Sequence, residues 1–364
     1  MLKEGPHDEQ NMASGSLRRP SALPMILTIM ALFIIIIGGT IRIFDAGESC
    51  PDWPTCFGEV TFMVPEDEQG QWYEDNPNEV DSRGVNHRYS TFEIFLEWSH
   101  RLLVGIIAVP ILANIYYCQK NKEKWGRKVF LTSQISGALL LIQAVVGAVT
   151  VRLDNVDWSV ALHLVLALSF TCSLIWQWLL MRRNEGDEIL FHKVDENFLL
   201  NEGKRMGVIA ISILILLILG AWVASTAGGD YNQGCSVGLP DGWPKCNGDI
   251  LPSMTGPGVL VQMIHRIGAA LVGVALIMGS MRLKESSNEA NAPGIYCKCM
   301  EFATGFWLLN IFVGGLYIVL ADIDSFPEYL SLMHLVIGVS SFLAAAFAYM
   351  LAKLAYPIGG GESE

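Results

Sequence analysis

The chain has 364 residues, 52% of them hydrophobic and only 16% charged, with a mean hydropathy of +0.39. A soluble chain would carry about a quarter charged residues, so this composition places the protein in a membrane and excludes disordered, collagen-like and disulfide-dense small-protein classes. The net charge of −12, from 24 Lys+Arg against 36 Asp+Glu, argues against a nucleic-acid partner.

In chain order, residues 1–21 form a polar N-terminal tail ending in Arg18-Arg19-Pro20. The apolar run 22–42 is too long for a signal-peptide core and has no A-x-A site after it, so it reads as a retained anchor. Glu4, Asp8 and Glu9 count against a mitochondrial transit peptide. Further spans of roughly 20 apolar residues follow at about 94–118, 128–150, 158–181, 206–227, 259–283, 298–320 and 328–353. None shows the alternation of a barrel strand, so the expectation is an all-α integral membrane protein with eight transmembrane helices. Residues 184–205 read as a linker between two four-helix halves, 22–183 and 206–353, and 354–364 as a tail. Seventeen Lys and Arg fall in the two tails, the linker and the loops on their side, against five (Arg42, Arg83, Arg88, Arg152, Lys245) on the other. That asymmetry puts both termini and the linker in the cytoplasm, and the loops 43–93 and 228–258 outside, most simply in a prokaryotic plasma membrane.

The halves repeat each other in order. Cys50-Pro-Asp-Trp53-Pro54-Thr-Cys56-Phe-Gly58 corresponds to Cys235…Asp-Gly-Trp243-Pro244-Lys-Cys246-Asn-Gly248. Glu97-Trp-Ser-His100-Arg101 corresponds to Gln262-Met-Ile-His265-Arg266. Val146-Gly147, then Asp154, Asp157 and His163-Leu-Val, corresponds to Val313-Gly314, then Asp322, Asp324 and His334-Leu-Val. Four spans return a chain to its starting side, so two pseudo-repeated four-helix bundles in parallel orientation are expected.

His7, His87 and His192 lie in tails or loops, where solvated roles are the default. His100, His163, His265 and His334 each lie a few residues inside the outward end of an even-numbered span, at matching depth for a rise of ~1.5 Å per residue. One intramembrane His is readily a helix–helix hydrogen bond, but four at one depth, two per half, point to a ligand. Imidazole pairs across a bundle hold haem iron, so one bis-His haem per half is the preferred reading. Zinc would want further ligands, and no carboxylate repeats beside each His. Arg101 and Arg266 are placed to meet haem propionates or outer-loop groups, or simply to snorkel.

The halves differ where Glu97 stands three residues before His100 and Gln262 three before His265. A spacing of three shares a helix face, and a carboxylate near hydrocarbon is costlier than an amide. Chemistry in the Glu half and electron transfer in the Gln half would explain the difference, whereas an ion pair with an Arg is the plainer alternative. In an oxidising compartment, Cys50/Cys56 and Cys235/Cys246 are expected as disulfides, with redox-active thiols as the rival. Cys118 and Cys172 lie in spans, and Cys297-Lys-Cys299 on the cytoplasmic side.

Taken together, the Glu97-x-x-His100-Arg101 motif, three further helical His, two outer Cys pairs and the duplicated plan over about residues 22–353 resemble the heme A synthase family. The resemblance implies haem o bound as substrate near His100 and His163, and a resident haem b cofactor ligated by His265 and His334. It implies oxidation of the haem o C8 methyl to a formyl group, giving haem a for terminal oxidases, with Glu97 assisting at the methyl and Cys50/Cys56 functionally important. Heme O synthase is the implied supplier of haem o. The membrane electron acceptor and a homo-oligomer are left open, and the 43–93 loop is longer and more acidic than the pattern needs. Two rivals remain from the residues alone: a dihaem b-type, quinone-linked electron carrier, which leaves Glu97 against Gln262 unexplained, and a haem-handling assembly factor.

Overall fold

The computed structural model describes residues 19–80, 83–224, 234–322 and 326–358. Lys3, Glu4, His7, Asp8, Glu9, Arg18 and Asp324, with 228–233 of the second outer loop and 359–364 of the tail, lie outside the described residues. Eight helices are long and apolar enough to cross a membrane: α1 (Ala22–Ile43), α3 (Thr91–Lys120), α4 (Lys122–Arg152), α5 (Asp157–Asn184), α6 (Glu196–Ala224), α7 (Pro257–Glu289), α8 (Ile295–Leu320) and α9 (Glu328–Leu354). The protein is an all-α integral membrane protein.

Helix ends follow local chemistry. Ser90 and Glu93 form a reciprocal capping box that starts α3, three residues ahead of the apolar run. Pro110 sits inside α3, as membrane helices tolerate where neighbours re-satisfy the backbone. Gly126, at φ 80°, breaks α4 just before its apolar segment begins. The fifth span departs from expectation. Helix α6 begins at Glu196, so half of the segment read as linker is helical. Hydropathy missed this stretch because Glu196–Arg205 is largely polar, yet Phe198, Glu202 and Gly203 are buried against neighbouring elements. The remaining linker residues Lys193–Asp195 form β1, which pairs in parallel with β2 (Tyr356–Ile358) after α9.

Helix α1 packs on α3, α3 on α4, α4 on α5, and α5 back on α1. The same closed order runs through α6, α7, α8 and α9. The two sets meet through α5 against α6 and α9, and α1 against α9. At that seam Trp178 stacks on Phe347 with ring centroids 6.1 Å apart, and the Leu335 side chain of α9 occupies the space that a Cβ on Gly39 of α1 would take. Arg42 Nη2 also donates to the Ala224 carbonyl at 2.9 Å, tying the ends of α1 and α6.

The 43–93 loop is a folded cap. Its acidic stretch forms α2 (Glu66–Asp75), whose Gln69 donates to the Val64 and Tyr89 carbonyls and accepts from Tyr89 N–H. Phe57 meets Trp72 and Tyr73 edge-on at 5.6 Å each, over a small core that contains Cys50 and Cys56. Arg83 pairs with Asp45 and Glu93. Burial works against its charge, but Asp45, Tyr89 and Glu93 hold its pKa above the ordinary value. The extra length of this loop therefore buries apolar surface above the first disulfide.

Candidate functional site

The loops after α1 and α6 each close on a disulfide. Cys50 bonds Cys56 and Cys235 bonds Cys246, with Cα atoms 4.4 and 4.8 Å apart. Each loop has a two-residue bridge after its second cysteine, Cys56 with Glu59 and Cys246 with Asp249, and a left-handed pair in between, Phe57-Gly58 and Asn247-Gly248. The motif repeat seen in sequence is thus a repeat of backbone shape.

Below these loops stand the four histidines. His100 lies close enough to His163, and His265 to His334, for their charges to interact, so each set of four helices brings its two histidines near one another. Each ring is seated on a glycine of the preceding span. An added Cβ would lie 3.1 Å from His100 at Gly38, 2.9 Å from His163 at Gly147, 3.1 Å from His265 at Gly220 and 2.6 Å from His334 at Gly314. Nδ1 of His100 and His163 is buried without a hydrogen-bond partner, while His334 Nδ1 donates to the Asn310 carbonyl at 2.9 Å and the His265 ring meets the equivalent Leu216 backbone. A backbone-anchored Nδ1–H fixes the tautomer that leaves Nε2 free as a metal ligand. Among the described residues no three His, Cys, Asp or Glu side chains converge as a metal-ion site. Two neighbouring imidazoles between helices, each seated against bare backbone, fit the ligation of a haem iron by a histidine pair.

Glu97 is 5% exposed and Gln262 3% exposed, so both are buried. Glu97 Oε1 accepts from Arg101 Nε at 2.8 Å, and Oε2 has no hydrogen bond among the described residues. Arg101 Nη1 also donates to the Asp52 and Thr55 carbonyls, and Nη2 to the Cys50 carbonyl at 2.7 Å. Its equivalent, Arg266, donates from Nη1 to the Lys245 carbonyl at 2.8 Å and keeps a buried, unpartnered Nη2. Thr55 and Lys245 each precede the second cysteine of their loop, so both arginines fasten a disulfide loop to a His-bearing helix. They do not merely snorkel. Only Arg101 has a partner on every nitrogen of its guanidinium among the described contacts.

Residues 22–347 match the family model COX15-CtaA, cytochrome oxidase assembly protein. The chain belongs to the COX15-CtaA family. Relatives include the heme A synthase of Exiguobacterium sibiricum, 28% identical over 346 residues that cover 93% of this chain and 95% of the relative. The heme A synthase of Ruegeria pomeroyi is 25% identical over 364 residues, covering 92% and 88%. That of Cereibacter sphaeroides is 27% identical over 287 residues, covering 70% of each.

Within this COX15-CtaA chain, the sequence motifs left out the glycine seats at Gly38 and Gly220. A signal was present: Gly38, Gly147, Gly220 and Gly314 all fall near the C-terminal end of an odd-numbered span. Other candidates stay apart from the site. His87 pairs with Arg83 at 2.9 Å in the outer loop, and Cys118 approaches Gln177 at 3.2 Å. Cys297 and Cys299 are free thiols.

Proposed function

We propose that this protein is a heme A synthase, an oxidoreductase that converts the C8 methyl of haem o to a formyl group to give haem a. The observation that carries this reading is two histidine pairs of like construction, only one of which has a carboxylate three residues before a ring, paired with the arginine that follows that ring. In this reading the two sets of four helices are copies of one unit with divided labour. His100 and His163 hold haem o as substrate, received from heme O synthase, and His265 and His334 hold a resident haem b. When bound, haem b supplies one-electron redox chemistry to the reaction.

The chain's own residues bind and position. Arg101 draws Glu97 Oε1 into an ion pair, and the unpaired Oε2 is the atom that takes a proton from the oxidised carbon or stabilises positive charge developing there. Gln262 has no charge to offer at the matching place. The free Nη2 of Arg266 binds a haem carboxylate by a charge-assisted hydrogen bond. The Lys and Arg distribution supports cytoplasmic termini and outward disulfide loops.

The test is Glu97→Ala in cells supplied with haem o, followed by extraction and chromatography of the haems on purified protein. Haem o is expected to accumulate, haem a to fall at least about 100-fold, as for loss of a general acid–base group, and haem b to stay. Undiminished haem a would refute the catalytic role. Haem b alone at both sites, despite available haem o, would favour a dihaem electron carrier.

A further inference from the structure

The two outer loops match around their disulfides, yet their tryptophans end in different places. Trp243 lies with its fused ring on α8: a Cβ on Gly315 would sit 3.0 Å from each of Cδ2, Cε2 and Cε3. The three equal approaches mean that the indole lies face-on against a stretch of helix with no side chain. Trp53, its counterpart, is 70% exposed. The helix beneath it differs too, because Gly147-Ala148 stands where the second half has Gly314-Gly315.

The ground around Trp243 is the C-terminal histidine pair. Gly314, next to its seat, holds the His334 ring, and Tyr317 meets that ring edge-on at 5.6 Å. Gly238 N–H donates to the Ile318 carbonyl of α8 at 2.9 Å. Two residues beyond Trp243, the Lys245 carbonyl accepts from Arg266, which follows His265 on α7. Residues 238–245 are therefore fastened at once to the helix that carries His265 and to the helix that seats His334.

We propose that Trp243 is a binding residue of the C-terminal site, closing its outer mouth and setting how long a haem stays there. The N-terminal site, with Trp53 turned outward and a methyl group at 148, lacks this closure and exchanges its haem. The proposal rests on the haem reading above and adds to it a reason why one haem is retained while the other turns over. Differences in residence time arise mainly in the off-rate, and a large apolar side chain over the mouth acts on that step.

The experiment is haem transfer from the purified full-length protein, loaded with haem b at both sites, to excess apomyoglobin, followed in the Soret band. Wild type is expected to show a fast and a slow phase. In Trp243→Ala the slow phase should quicken by about tenfold or more, while Trp53→Ala leaves it within about twofold. Trp243→Phe, which keeps an aromatic ring, should restore most of the retention. Gly315→Ala, whose methyl group takes the indole's seat, should also quicken the slow phase and tests the same contact without removing the ring. A reduced-minus-oxidised spectrum unchanged from wild type shows that the axial ligands are intact, which a general collapse of the loop would not allow. A slow phase unmoved in both Trp243→Ala and Gly315→Ala overturns the closure and leaves the haem reading standing. Wild-type protein that binds no low-spin haem overturns the reading and this proposal with it.

Discussion

Arg101 and Arg266 occupy the same place in the motif and do different work. Arg101 uses all its nitrogens, on Glu97 and on three loop carbonyls, whereas Arg266 makes one loop contact and keeps Nη2. Removing one member of a buried ion pair leaves the other charge uncompensated, a cost of about 3–5 kcal/mol, while a single lost hydrogen bond costs about 1 kcal/mol. Arg101→Ala should therefore lower the thermal unfolding midpoint in detergent much more than Arg266→Ala; equal midpoints would contradict the assigned contacts. The histidines give a second prediction at this scale. His265→Ala or His334→Ala should strip haem b from the purified protein, and His100→Ala or His163→Ala should leave it, as measured by pyridine haemochromogen assay. Loss of haem b from all four variants alike would argue against separate sites. Glu97 and the four histidines could be read from sequence because each stands out within its own span. The carbonyl contacts of Arg101 could not, since those partners lie in a loop some fifty residues earlier in the chain.

At the scale of helices, the repeated device is a glycine on each odd-numbered span under a histidine on the next. The space available differs, from 2.6 Å at Gly314 to 2.9 Å at Gly147 and 3.1 Å at Gly38 and Gly220. Overpacking of this kind costs about 1–3 kcal/mol and is relieved by moving the smaller obstacle, here the ring. Gly314→Ala should displace His334 most and broaden or shift the low-spin haem spectrum, with Gly220→Ala milder. A Gly314→Ala protein with wild-type haem content and spectrum would show that the seat is not needed. Hydropathy located all eight spans but not the first stretch of α6, Glu196–Arg205, or the cap helix α2. Both are polar stretches whose order comes from packing against partners distant in sequence, Phe198 in the one case and Gln69 and Tyr73 in the other.

At the scale of the whole molecule, two closed sets of four helices meet along α1, α5, α6 and α9, and a short parallel β pair joins the linker to the chain after α9. Arg183 adds to this junction by lying over the Tyr356 ring at 4.4 Å. The charge asymmetry predicts that this junction is cytoplasmic and both disulfides external. Alkaline phosphatase inserted in the 228–258 loop should be active, and the same reporter placed after residue 364 inactive; the reverse pattern would invert the proposed orientation.

Apolar run length, the depth of four histidines, the paired loop motifs and the Glu97–Gln262 difference were legible in the amino-acid sequence alone. They are properties of short segments, set by hydrophobic transfer and by helical spacing. The glycine beneath each ring, the unequal arginines and the unequal tryptophans were decided only by tertiary structure. Each depends on two residues brought together by helix packing or loop docking, and a repeat in sequence does not reveal that Trp243 finds a bare helix at Gly315 while Trp53 remains exposed.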